Sequence, residues 1–517
     1  MKVSESKILM SSLFATGIAG IVSEYVLATL ATYFLGNSVF QWTIILSIML
    51  FSMGLGSRLS KLVNNYVIEY FIGAELLLSF LTSMCALLVY SLMGVTDYIE
   101  IFIYILAVLV GLLIGLEIPL VTRINGRYHD LKANISSVME KDYYGSLIGG
   151  LFFAFIGLPY LGLTYTPFVL GMVNLIVASL LFFKFSRRLN KTLKKVLLSA
   201  IIGLFMVIVF GIYYAKPIIL FGEQSRYIDK VVYSQQTKYQ KITLTASYNH
   251  HILYLNNSMQ LNTMDEWLYH EPLVHAPMLL NSSKKNILIL GGGDGCGIRE
   301  VLKYPEVESI KIIDLDPDMT NFGANNPVFK ELNNNSYHNK KVTVLNQDAF
   351  IALENDSQYY DLIIIDFPDP RSIELSRLYT KEMYSFCRKR LKMDGIIITQ
   401  ATSPYFQAKA FYCINKTMQS AGFNTLPIHN HVQSFGEWGW IIGSKIYSND
   451  QMKSTLSSIK KLPINNTKWL TTDALDMMTK FGKPVGDTTS LEINSIHNPV
   501  LFKYYLKGTE FNQSFYE

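Results

Sequence analysis

The segment NILILGGGDGCGIRE, residues 286–300, decides how the second half of this chain folds. An apolar run, Asn286–Leu290, ends in a glycine-rich turn, Gly291-Gly292-Gly293-Asp294-Gly295, and a helix opens behind it. In that setting glycines let the backbone approach a ligand closely, and the pattern implies a nucleotide or nucleoside site. Asp314 follows Asp294 by twenty residues, at the end of a second apolar run. That is where a carboxylate takes both hydroxyls of a ribose. The acid inside the turn argues against a dinucleotide, whose pyrophosphate would meet Asp294 at the helix N-terminus. A cationic arm suits it better. Asp348 ends a third run, and Asp366-Phe367-Pro368-Asp369-Pro370 ends a fourth, LIII at residues 362–365.

Outward from this segment, strands are expected at 286–290, 310–315, 342–345, 362–365, 395–400, 424–429 and 438–443. Helices are expected at 298–303, 376–391 and 406–421. This alternation predicts a parallel-rich α/β sheet of the Rossmann-like, methyltransferase-like kind, with helices on both faces. The last strand should pair antiparallel, because only a short loop precedes it. Residues 226–261 read as β-rich, with alternation at Tyr239–Leu244 and a turn at Asn256-Asn257. The expected organisation is a membrane region at 1–216, a small β-rich part at 217–270, the α/β domain at 271–450 and a C-terminal extension at 451–517. That extension carries no readable chemical signature.

The first half is different. Half of the 517 residues are hydrophobic and 16% are charged. Residues 1–216 hold 15 Lys+Arg and 10 Asp+Glu, so the net charge of +5 lies wholly there. About seven segments are long and apolar enough for membrane spans, with cores near 10–35, 40–58, 68–93, 100–122, 143–160, 163–183 and 196–215. The fifth is weakened by Gly145, Gly149 and Gly150. Basic residues cluster in three loops, around Arg58 and Lys61, Arg123 to Lys141, and Lys184 to Lys195. The loops between them are acidic or neutral, with Asp97 and Glu100. The positive-inside rule puts the basic loops in the cytoplasm, and seven spans then send the second half outward. A nucleoside substrate made in the cytosol argues the other way. Glu24 and Glu117 fall inside spans, as a cation site or as paired or neutral carboxyls. The expected location is the cell membrane, multi-pass, with the lipid bilayer as a partner. A basic excess confined to membrane flanks argues against nucleic-acid binding. Cys85, Cys296, Cys387 and Cys413 form no CxxC or zinc spacing and read as reduced thiols. Homo-oligomer formation is left open.

Asp366 ends a strand and is therefore aimed at the cleft. Paired carboxylates suit a diamine: one holds the distal ammonium and the other helps the attacking nitrogen lose its proton. His270 stands among Asp265, Glu266, Tyr269 and Glu271. With Tyr239-Gln240-Lys241-Ile242, Leu255 to Gln260, GGGDG with Arg299-Glu300, Asp348, Asp366-x-x-Asp369-Pro370 and Gln400, this set resembles the spermidine synthase family, the polyamine aminopropyltransferases. The likeness covers roughly 225–445. The fused helices, Asp314-Leu315-Asp316-Pro317 and Phe435-Gly436-Glu437-Trp438-Gly439 are similar to its membrane-bound bacterial branch. The resemblance implies transfer of the aminopropyl group of decarboxylated S-adenosylmethionine to putrescine. Asp366 would accept the proton. Asp294 and Asp369, with Tyr269 and His270, would hold the amine and the aminopropyl arm. Gln240, Asp314, Asp348 and Ala349 would bind the methylthioadenosine moiety. No metal and no cofactor is implied, the adenosyl compound being a co-substrate. The sequence departs from soluble members at Asp314, where they usually carry Glu, at Arg371-Ser372-Ile373 and at Val432-Gln433-Ser434. Alternatives are an S-adenosylmethionine-dependent methyltransferase on the same sheet and a polyamine-binding sensor or transporter.

Overall fold

A computed structural model describes residues 2–35, 38–93, 96, 98–128, 130–482 and 490–513. Asp97 lies outside them. The chain divides into two compact units, Met1–Val231 and Val232–Glu517.

The first unit is helical: α1 Lys2–Leu35, α2 Ser38–Leu59, α3 Val67–Met93, α4 Ile99–Asn125, α5 Leu131–Phe152, α6 Gly162–Phe185 and α7 Lys191–Gln224. Among the described residues six helical stretches are long and apolar enough to cross a membrane, where seven spans were expected. The expected fifth and sixth spans form one 55-residue stretch, Leu131–Phe185. Straight, it would be about 80 Å long, more than twice the thickness of a bilayer's hydrocarbon core. It is not straight. A π-helical segment with Pro159, Phe153–Leu161, leads to Gly162, whose φ of 62° and ψ of −171° break the helix.

Contacts show the reversal. A Cβ on Gly145 would lie 2.2 Å from the Phe14 carbonyl oxygen, and Phe153 packs on Tyr25, so α5 runs parallel to α1. Ser79 donates to the Gly171 carbonyl at 2.5 Å and Glu69 accepts from the Asn190 amide at 2.9 Å, so α6 runs antiparallel to α3. Tyr90 packs on Phe34 near the ends of α3 and α1, which makes these two parallel. Gly211 meets Met84 and Gly222 meets Tyr90, so α7 follows α3. Gly20 meets Ile114 where Thr16 reaches Glu117, so α4 opposes α1, and Gly115 against Met53 carries α2 along with α4. The odd-numbered helices thus point one way and the even-numbered ones the other. Small residues at these crossings let the helix backbones touch.

The second unit holds a four-stranded sheet: β1 Lys230–Gln236, β2 Lys241–Ser247, β3 His250–Leu255 and β4 Ser258–Asn262, in sequential order. The Asn256-Asn257 turn sits at positive φ, 48° and 64°. Helix α8, Trp267–Leu280, leads into a seven-stranded sheet. Its strands are β5 Asn286–Gly291, β6 Ser309–Asp314, β7 Val342–Asn346, β8 Tyr360–Asp366, β9 Leu391–Gln400, β10 Asn424–Val432 and β11 Gly436–Ser444. Their order is β10-β11-β9-β8-β5-β6-β7. β11 is antiparallel to both neighbours and the other pairings are parallel.

Alternate residues face opposite sides, as strand geometry requires. Ile287, Ile289, Leu362 and Ile364 join a core under α8, and Leu288, Leu290, Ile363 and Ile365 join one under the last helix, Leu501–Gln513. The extension after β11 therefore closes both faces. Strand order reverses between β5 and β8, and ligands bind such sheets at the carboxyl ends beside this switch point. Helix 376–391 is broken by Thr380, which caps the helix Lys381–Arg390.

Candidate active site

Two strand ends meet at the switch point. Gly291 and Asp366 are register partners, and the Gly292 amide donates to the Asp366 carbonyl at 3.1 Å. Gly291, Gly292 and Gly295 hold φ of 79°, 66° and 84°. A Cβ on Gly291 would lie 2.2 Å from the Asp366 carbonyl oxygen, so this position tolerates only glycine. The turn carries Asp294 beyond the sheet edge, where its carboxylate accepts from the Cys296 amide at 2.8 Å.

Helix α8 brings Tyr269 and His270 over these acids. The Tyr269 hydroxyl donates to Asp366 at 2.6 Å. His270 Nδ1 lies 2.9 Å from Glu266, and Nε2 lies 3.7 Å from Asp294. Arg299 grips Glu266 with two bonds, of 2.9 and 2.8 Å. Burial pulls the His270 pKa down, but the Glu266 hydrogen bond and the charges of Asp294 and Asp366 outweigh it and raise it to about 9. Burial also pushes Glu266 up, yet His270 and Arg299 bring it to about 2. His270 is therefore an imidazolium at neutral pH, held by a buried carboxylate.

The acids go the other way. Burial, with Asp294 nearby, raises Asp366 to about 6, against the pull of His270 and Tyr269. Burial raises Asp314 to about 6 against the hydrogen bond from the Asp316 amide, with the charges of Asp316, Asp294 and Asp366 adding to it. Burial also raises Asp369. Carboxylates crowded into one buried pocket favour protonation until a cation arrives.

Asp369 is already engaged. Tyr505, from the last helix, donates to it at 2.9 Å, Gln400 at 3.4 Å, and Arg371 lies at 3.5 Å. Tyr379 donates to the Phe367 and Pro368 carbonyls at 3.0 Å each, and Gln400 to Phe367 at 2.8 Å. The loop after β8 is thus pinned from beneath.

Residues 266–454 match the spermine/spermidine synthase domain. The chain is 40% identical over 509 residues to polyamine aminopropyltransferase 2 of Aquifex aeolicus, covering 98% of this chain and 99% of that one. It is 35% identical over 497 residues to the polyamine aminopropyltransferase of Leptospira interrogans, covering 96% and 97%. With that of Oceanobacillus iheyensis the identity is 33% over 518 residues, covering 98% of each.

The chain belongs to the polyamine aminopropyltransferase family.

In this aminopropyltransferase the structure brings Tyr269, His270, Asp294, Asp314 and Asp366 together at the carboxyl ends of β5, β6 and β8. A Cβ on Gly293 would lie 2.9 Å from Asp314, which places that carboxylate against the turn. The other expected residues make contacts of their own. Gln240 donates its amide to Asp316 at 3.0 Å, and Asp316 also takes Thr237 and caps the helix Pro317–Asn325. Asp348 caps the helix Ala349–Asn355 and pairs with Arg377. Ala349 is the buried first residue of that helix. Val432-Gln433-Ser434 is tied down through Ser434, which donates to Asp265.

Sequence reasoning quoted Arg299 without a role and missed Arg371, Tyr379 and Tyr505 as parts of the site. Only the departure at Arg371 was visible; nothing local marks Tyr505, 136 residues from its partner. The extension read as chemically silent supplies that hydroxyl. His270, Asp294 and Asp366 also lie close enough together to hold a metal ion, as do Glu266, His270 and Cys296. All four cysteines are buried.

Proposed function

We propose that this aminopropyltransferase moves the aminopropyl group of decarboxylated S-adenosylmethionine to putrescine, giving spermidine and 5′-methylthioadenosine. The observation that carries the reading is Asp294 inside the glycine turn, beside Asp366. The two acids offer cation sites on either side of one reacting carbon. Asp314 takes the ribose hydroxyls, with Gln240, Asp348 and Ala349 lining the rest of the nucleoside side. Asp294 and Tyr269 hold the aminopropyl arm, with the His270 imidazolium orienting Asp294, and Asp369 takes the distal ammonium of the acceptor.

The acceptor nitrogen attacks the propyl carbon next to the sulfonium. The C–N bond forms as the C–S bond breaks, and its electron pair neutralises the sulfur. The nitrogen's surplus proton passes to Asp366. A sulfonium is a good leaving group, so the protein supplies orientation and proton removal. Asp366 must be ionised to act, so kcat/KM falls as pH drops through about 6. Bound cations favour the carboxylate, so the limb in kcat lies at lower pH.

Purified protein given the decarboxylated compound and a panel of amines should form spermidine from putrescine. Asp366→Asn should lower kcat about 10²–10⁴-fold. Product with intact S-adenosylmethionine instead, or no transfer to any amine, overturns the reading. Activity undiminished by a chelator checks the expectation that no metal takes part. We further propose that the first unit spans the cell membrane, basic loops in the cytoplasm, on the strength of its apolar helices and their charged ends.

A further inference from the structure

The chemistry above leaves the carboxylates of the helical unit without a use. Glu75 is fully buried in α3, and neither of its oxygens has a partner among the described residues. Glu117 in α4 is 3% exposed. Thr16 of α1 lies beside it, and its Oε1 has no partner among the described residues. The charges of Glu75 and Glu117 act on each other, and Asp142 of α5 acts on Glu117.

A neutral side chain makes the same point independently. Asn174 in α6 is fully buried, and neither its amide nitrogen nor its oxygen has a partner. The antiparallel register that sets Ser79 on Gly171 runs Asn174, a turn later on α6, in the direction of Glu75, a turn earlier on α3, without a hydrogen bond between them. Glu75 and Glu117 lie eight residues from the nearer basic-loop ends of their helices, and Asp142 and Asn174 eleven. At 1.5 Å per residue this is one layer about 12–16 Å deep, near the middle of a bilayer core.

Carboxylates and an amide buried together without partners call for a ligand that is cationic and rich in N–H donors. A single metal ion would serve the layer but not Glu24. That residue is buried two turns further along the face of α1 that carries Thr16, about 12 Å away. Carboxylates strung along the bundle axis match a chain of ammonium groups. We propose that Glu75, Glu117 and Asn174 form a site within the helical unit for a protonated aliphatic amine, with Glu24 receiving its next ammonium. The choice of amine over other cations rests on the proposed reaction of the second unit.

The test is equilibrium binding of labelled spermidine to full-length protein in lipid nanodiscs, without the adenosyl co-substrate. Wild type should show two classes of site. E75Q/E117Q should lose one and keep its transfer rate within about twofold, which also shows that it folds. D366N/D369N should lose the other. N174D adds a carboxylate and should tighten the bundle site about fivefold. Unchanged stoichiometry in E75Q/E117Q overturns the inference, as does sodium displacing the label as effectively as unlabelled putrescine. Should wild type transfer nothing, the proposed reaction falls. Normal transfer with no bundle site sinks only this inference.

Discussion

At the scale of single residues, the site is a balance between a buried imidazolium and crowded acids. His270 titrates at about 9 in the fold against about 6.5 unfolded. Its contribution to stability is fully present below pH 6.5 and is lost as pH rises through about 9. Its size is of order 3 kcal/mol. His270→Gln should therefore flatten the decline in thermal midpoint between pH 7 and 9, and a slope unchanged in the variant would refute this. Arg371 sets a second expectation. It stands 3.5 Å from Asp369 with its side chain 44% exposed, so an acceptor ammonium competes with it. Arg371→Gly should lower KM for putrescine about three- to fivefold with kcat unchanged, the weight of a partly exposed ion pair. A raised KM would show that Arg371 assists binding. Asp294, Asp314 and Asp366 were legible in the sequence because strand ends and a glycine turn fix where they point. Gln240 and Asp348 were legible as positions, but their hydrogen-bond partners come from other segments and no local pattern announces them.

At the scale of elements, the β5 turn is the most constrained piece. A methyl at Gly291 would meet main chain of β8, not a movable side chain. Gly291→Ala should cost about 3 kcal/mol, from overpacking and strained φ together. Thermal unfolding and loss of nucleoside binding in parallel would check it; unaltered stability would contradict the close packing of β5 on β8. All seven main strands were readable to within a few residues, because each is a short apolar run ended by turn residues. The break at Thr380 was not, since the apolar spacing continues across it. Glu75 was also passed over. It lies in a span like Glu24 and Glu117, and only its missing partners set it apart.

At the scale of the whole molecule, the alternating helix directions place the end of α7 at the face opposite the basic loops of its own unit. Cysteines introduced at Lys132 and Lys191 should label from one side of sealed vesicles, and one at Leu220 from the other. The native cysteines are buried and leave a low background. Labelling of all three from one side would refute the alternation. The change in composition near residue 216 falls inside α7, which runs on to Gln224, and the two units divide at Val231; the joining of the expected fifth and sixth spans was not visible, because Gly162 ends a helix without a polar loop. That glycine has a consequence for biogenesis. On the proposed membrane topology, α5 before it is the least apolar of the helices, so α5 and α6 would enter the bilayer together, as a helical hairpin closing at Gly162. A bulky residue there should appear as failed insertion and degradation of the nascent chain, while molecules that reach the membrane keep normal turnover.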